Sequence, residues 1–103
     1  MRILTLCLLA TGLTACADFV PLKPEAERIQ VSKPELVGGC TLKGSTRVKV
    51  LAKLGPLSRD EGKQIIELNT LARNSALDLQ GDTVVPAGPI ENGERDFKVY
   101  RCR

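Results

Sequence analysis

The residues with the most distinctive chemistry in this chain are four cysteines: Cys7, Cys16, Cys40 and Cys102. The sequence contains no histidine. That removes the commonest general base, the commonest physiological-pH switch and the commonest metal ligand. Ser58, Thr70 and Ser75 thus have no imidazole to activate them. Asp60 and Glu61 stand where a helix start attracts acids, and Asp78 and Asp82 flank its far end with no paired partner. There is no C-x-x-C spacing, and two thiols without histidine make a poor zinc site. These residue types predict no enzyme, no metal and no cofactor. They leave two kinds of sulfur chemistry, acylation and cross-linking.

Cys16 is the candidate for acylation. Arg2 supplies a positive charge, and the stretch from Ile3 to Leu13 is apolar except for Thr5, Thr11 and Gly12. The stretch is too short to span a bilayer, so residues 1–15 read as a signal peptide. It ends in Leu13-Thr14-Ala15-Cys16, which resembles the lipobox of bacterial lipoproteins. That resemblance implies that Cys16 carries diacylglyceryl and further acyl groups such as palmitate, and is the first residue of the mature protein. It implies a lipid-bilayer partner held through acylated Cys16. Ala17, not Asp, follows the cysteine, which by the same resemblance favours the outer membrane, facing the periplasm. Two readings compete. Ala15-Cys16-Ala17 is also an A-x-A cleavage pattern that would release a soluble protein. A buried N-terminal helix with Cys7 and Cys16 in its core is opposed by Pro21 and Pro24.

The elements that position the other two cysteines follow from the pattern. Residues 16–27 hold two prolines and mixed charge and read as a lipidated N-terminus and tether. Residues 28–103 read as one domain. Arg28 to Ser32 alternates as a short strand, and Cys40 to Leu51 as a longer one. Leu42, Thr46, Val48 and Val50 are expected on its buried face, with Lys43, Ser45, Arg47 and Lys49 outside. Those outer cations read as an anionic-lipid or glycan patch, or as a solvated face guarded against edge pairing. Ser58 and Glu61 fit a capping box, predicting a helix from Arg59 to Gln80 ended by Gly81 as a left-handed cap. Ile65, Leu68, Leu71, Ala72, Ala76 and Leu79 form its apolar arc. A third strand over 82–85 is closed by Pro86, Asn92-Gly93 signals a hairpin, and 96–102 form the last strand. The order β-β-α-β-β predicts an α+β fold, a small, mostly antiparallel four-stranded sheet with one helix on it.

In that topology the last strand runs antiparallel to both the long second strand and the third. If it lies beside the second, Cys40 and Cys102 fall at the same end of the sheet. A secreted chain meets an oxidising compartment, so a structural Cys40–Cys102 disulfide is expected. Strict alternation resists this. Cys40 shares a face with Leu42 and Val48, whereas Cys102 shares one with Tyr100 and Lys98, not with Phe97 and Val99. A bulge in the last strand, a Cys102 beyond its regular part, or a mistaken inward face would each account for it.

Net charge is +3, with two Phe, one Tyr and no Trp. That excludes the basic, aromatic-rich surface expected for nucleic acid. On the helix, Ile66 and Leu77 lie outside the apolar arc and form a second stripe with Thr70 and Arg73. Ile66, Arg73 and Leu77 are therefore candidate contacts for an envelope protein partner, unless neighbouring loops cover them.

The domain resembles short Gram-negative lipoproteins classed only as a domain of unknown function. The residues that carry this are Cys16, Val37-Gly38-Gly39-Cys40-Thr41-Leu42-Lys43-Gly44, Leu71-Ala72-Arg73-Asn74-Ser75-Ala76, Gly81-Asp82-Thr83-Val84-Val85 and Val99-Tyr100-Arg101-Cys102. The resemblance implies a small disulfide-bonded sheet-plus-helix domain and no activity. More distantly the chain is similar to the Rcs envelope-stress sensor lipoprotein, which has an anchor, a tether and a small disulfide-bonded domain. The expected function is a membrane-anchored protein-interaction or envelope-maintenance module. The alternatives are an inhibitor of a lytic envelope enzyme, with the Glu91 to Asp96 tip as its insertion loop, and an envelope-stress sensor.

Overall fold

A computed structural model describes residues 20–103. Cys16 and the apolar run before it lie outside the described residues. The chain forms β1 (Gln30–Val31), β2 (Thr41–Lys49), β3 (Lys53–Leu54), β4 (Leu57–Ser58), α1 (Glu61–Asp78), β5 (Thr83–Glu91) and β6 (Glu94–Arg101). Short 3-10 turns at Pro24–Ala26 and Pro34–Leu36 precede β1 and β2. The main sheet has the order β1-β5-β6-β2, and β3 and β4 make a separate small hairpin. β6 pairs antiparallel with β5 and β2, and β1 pairs parallel with β5. This is the expected α+β class, with the helix packed on one mostly antiparallel sheet.

The helix is shorter than its sequence suggests, and both caps differ. Asp60, not Ser58, is the N-cap: its carboxylate accepts the Lys63 amide at 3.2 Å. A carboxylate there also complements the helix dipole. Ser58 belongs to β4 instead. At the other end, Gly81 N–H donates to Ala76 O and Gln80 N–H to Leu77 O, a Schellman arrangement. Gln80, not Gly81, takes the left-handed backbone at φ 60°. Gly81 serves close packing: a β-carbon there would overlap Val99 Cγ1 and stand 3.0 Å from the Tyr100 carbonyl.

The core lies between α1 and the sheet. Phe97, Ile29, Leu68, Val84 and Val99 are the largest fully buried side chains, and Ala72 and Ala76 bring the helix close. Ile65, expected in this arc, is exposed. The buried stripe instead takes in Gln64 and Glu67 at its N-terminal end. Thr83 and Val85 point by alternation to the opposite face, yet they are buried, as is Val37. None of the three joins the helix-side cluster. The 32–40 connection must travel from β1 at one sheet edge to β2 at the other. This second buried group fits its passage over the face away from the helix.

Three further features depart from the sequence reading. β5 runs through Pro86 and Pro89 to Glu91, where a stop at Pro86 was expected. β1 covers β5 only at Thr83 and Val84, so both prolines sit on a stretch whose other edge is free, where the missing N–H costs no ladder bond. Second, the hairpin is closed by Asn92 (φ 54°) and Gly93 (φ 76°), both left-handed as a two-residue primed turn requires. Val50 N–H donates to Gly93 O at 2.8 Å, and a β-carbon on Gly93 would overlap the Val50 carbonyl. Third, the residues assigned to a tether are partly packed. Ala26 and Ile29 are buried in the core, with Val20 and Leu22 packed against it. The packed core therefore takes in residues that precede Arg28.

Candidate functional site

Cys40 and Cys102 form the expected disulfide, with Cα atoms 4.4 Å apart. The conflict over their faces has its cause in β2, not in the last strand. Thr41 pairs with Arg101 and Leu42 with Tyr100, but the next pair is Gly44 with Val99. Lys43 is thus an extra residue, a bulge that reverses the side-chain alternation. Thr46, Val48 and Val50 keep the helix-facing side, while Leu42 turns outward and is 55% exposed. Cys40 turns with it and meets Cys102 on the face of Tyr100.

The disulfide is half of a clamp on the chain's last residues. Asp82 is the other half. Its Oδ1 accepts from the Cys102 amide at 2.9 Å and the Thr83 hydroxyl at 2.9 Å, and its Oδ2 accepts from the Arg103 amide at 3.0 Å. Burial alone would raise the Asp82 pKa. The bonds from Cys102, Arg103 and Thr83, with the Arg103 charge, outweigh burial and hold the carboxyl below its ordinary value. The sequence pattern does not show these partners, because the two amide donors lie about twenty residues away, just past the end of β6.

The stripe Ile66, Arg73, Leu77 is divided by the fold. Ile66 is 64% exposed. Arg73 turns inward along the N-terminal segment. Its Nε donates to Ile29 O at 2.7 Å, and its Nη2 to Glu27 O at 2.9 Å and Ala26 O at 3.2 Å. Asn74 extends this seam: its Oδ1 accepts the Lys23 amide at 2.8 Å, and its Nδ2 donates to Pro21 O at 3.1 Å. Leu77 is half-buried against the core. Arg73 and Asn74 thus fasten residues 21–29 to the helix.

A second polar seam fastens the loop before the helix. Arg59 lies against Glu67 through two hydrogen bonds of 2.8 Å and reaches Leu51 O at 2.9 Å. The bonds from Arg59 hold the Glu67 carboxyl below its ordinary value despite its burial, with a further contribution from Lys63. Exposed Leu51, Leu57, Ile65 and Ile66 belong to the segments this pair ties together.

The cationic outer face expected of β2 is largely neutralised by β6. Arg47 bonds Glu94 at 2.8 Å and Asp96 at 2.7 Å, and Lys49 lies 3.7 Å from Glu94. This holds the Glu94 carboxyl below its usual value through the Arg47 bond first of all.

A concavity missed by sequence reading lies where α1 ends. It is an open cleft of about 480 Å³ lined by Arg28, Leu77, Gln80, Gly81, Asp82, Arg101 and Arg103. Nothing in the one-dimensional pattern joins Arg28 to the last three residues. The parallel pairing of β1 with β5 does so. Among the described residues no cluster of three or more His, Cys, Asp or Glu could hold a metal, and no helix is long and apolar enough to cross a membrane.

Fold and clamp together define a small α+β domain, one helix on a mixed four-stranded sheet, with its C-terminal strand held by a disulfide and a carboxylate. The chain belongs to the family described as Domain of unknown function (DUF4156), matched over residues 20–102. No curated protein and no solved structure matches the chain.

Proposed function

We propose that this protein is a lipid-anchored domain of the bacterial cell envelope, held on the periplasmic side by acylated Cys16 and acting as a protein-interaction module. The observation that carries the anchoring is the apolar run ended by Leu13-Thr14-Ala15-Cys16. The disulfide supports an oxidising compartment. Only three residues separate Cys16 from Val20, which packs against the core, a reach of about 14 Å at most. Such an anchor holds the domain against the bilayer. The exposed Leu51, Leu57, Ile65 and Ile66 favour a protein partner, because exposed apolar side chains gain from being covered.

The inhibitor reading is less well supported. An inhibitory loop must project into a cleft. Here the Asn92-Gly93 turn is two residues long, Gly93 is buried against Val50, and Glu94 is paired with Arg47.

Cys16→Ala tests the anchor. Wild-type protein should take up labelled palmitate and fractionate with membranes, and the variant should do neither. A soluble wild-type protein beginning at Asp18 would refute the anchor. Site-specific crosslinking from position 66 in intact cells tests the module. Reproducible capture of one envelope protein supports it, and capture of a lytic enzyme would favour the inhibitor.

A further inference from the structure

We propose that the cleft at the C-terminal end of α1 binds a phosphate group through Arg28, Arg101 and Arg103. The starting point is how the arginines are used. Arg47 is taken by two carboxylates, Arg59 by Glu67, Arg73 by three backbone carbonyls and Arg95 by the Gly88 carbonyl. Arg101 Nε donates only a long bond of 3.4 Å to the Arg103 backbone oxygen, and among the described residues no Asp or Glu side chain forms an ion pair with Arg28, Arg101 or Arg103. These are the three that line one concavity.

The simplest alternative is that they serve as countercharge for Asp82. The geometry argues against it. Asp82 feels the Arg103 charge, but its hydrogen bonds come from two backbone amides and a hydroxyl and none from a guanidinium, so the arginine N–H groups are not spent on it. A second objection is that a helix C-terminus repels anions. Here the carbonyls of Ala76 and Leu77 already accept from Gly81 and Gln80, which blunts that field. Three guanidinium groups around a small open cleft then form a donor set suited to phosphate, which arginine grips with paired N–H bonds.

The phosphate has two chemical sources, a lipid headgroup or a soluble phosphate compound. Leu77 supplies an apolar wall beside the arginines, suited to the glycerol end of a lipid. Asn74 is one helical turn from Leu77, and it therefore holds Pro21 and Lys23 on the helix face that carries Leu77. The lipid source rests on the anchoring proposed above; the phosphate chemistry of the cleft does not.

The test uses the full chain in a maltoside detergent, observed by amide chemical shifts at Gly81, Asp82, Cys102 and Arg103. Inorganic phosphate is titrated in one arm. In the other, phosphatidylglycerol is added to the micelles and compared with phosphatidylcholine. Saturable shifts at these amides are expected, weakened about ten-fold or more in the Arg28→Gln/Arg101→Gln/Arg103→Gln variant and unchanged in Lys53→Gln. All three arginines are exposed, and the Arg103 amide that Asp82 holds is kept, so the variant should fold. A response to phosphatidylglycerol alone assigns the site to lipid. A response to inorganic phosphate supports the site and extends it to soluble phosphate. Acyl labelling of Cys16 reports separately on the anchor. No saturable shift in either arm, or equal binding by the triple variant, overturns the proposal.

Discussion

Arg59 and Glu67 face each other across the junction of loop and helix, joined by two parallel hydrogen bonds of 2.8 Å with both side chains nearly out of solvent. Because Arg59 also holds the Leu51 carbonyl, the pair ties the 50–59 loop to α1. Removing one partner leaves the other charge buried and unpaired, which costs more than the pair's net worth. Glu67→Leu should therefore lower the melting temperature by several degrees. The double variant Arg59→Met/Glu67→Leu should recover part of the loss. Thermal unfolding of the four proteins of this cycle checks it, and additive effects would refute the coupling.

Acid should destabilise the domain through Glu67, Asp82 and Glu94. Each carboxyl is held below its ordinary value in the folded protein. A depressed folded-state pKa contributes stability that is fully present above the unfolded value, about 4 for carboxylates, and is lost as pH falls through the folded value. Urea midpoints should thus be flat from neutral pH down to about 5 and fall below about 4. In Glu67→Gln the fall should be shallower.

The disulfide closes a loop of sequence separation 62. Chain-entropy arithmetic for such a loop gives about 4 kcal/mol, toward the upper end of what native bridges contribute. Cys40→Ser/Cys102→Ser should remain folded at low temperature, because Asp82 still holds the Cys102 and Arg103 amides. It should lose about 2–4 kcal/mol in denaturant titration. A loss below half of that would mean that Asp82 alone maintains the clamp.

Glycines 81 and 39 should respond oppositely to alanine. At 81 the new methyl would overlap Val99, so Gly81→Ala should cost about 1–3 kcal/mol. At 39 nothing lies within 4 Å, so Gly39→Ala should be close to neutral. Equal stability of the two variants would contradict the packing described for Gly81.

Arg73 and Ile66 separate a structural role from a surface one. Arg73→Met removes the donor to three carbonyls, so amide exchange should quicken over residues 21–31 and the melting temperature should fall. Ile66→Asp should leave the melting temperature nearly unchanged, since the side chain is 64% exposed. If Ile66→Asp unfolds the domain, the exposed stripe is not a surface.

Class and topology were legible in the sequence because they depend on local pattern and chain order. Alternation marks the strands, the three- and four-residue spacing marks the helix, and Asn92-Gly93 can close only a tight hairpin. The single crossover of helix over sheet then makes β6 antiparallel to both β5 and β2, which puts Cys40 beside Cys102 once β6 pairs with β2. Leu68, Ala72 and Ala76 needed no more than helical periodicity to be placed in the core.

The rest depended on distant partners. A one-residue bulge at Lys43 leaves no mark in composition, yet it turns Leu42 and Cys40 to the outer face. Gln64, Glu67 and Arg73 read as surface residues because they are polar. Their inward placement follows from partners five to forty-seven residues away. Pro86 is a strand breaker by type, but the short β1 leaves that edge open. Arg28, Arg101 and Arg103 share a cleft only because β1 lies parallel to β5. A side chain's local preference is carried in the sequence around it. Its partner is chosen by which strands lie side by side, and tertiary packing decides that.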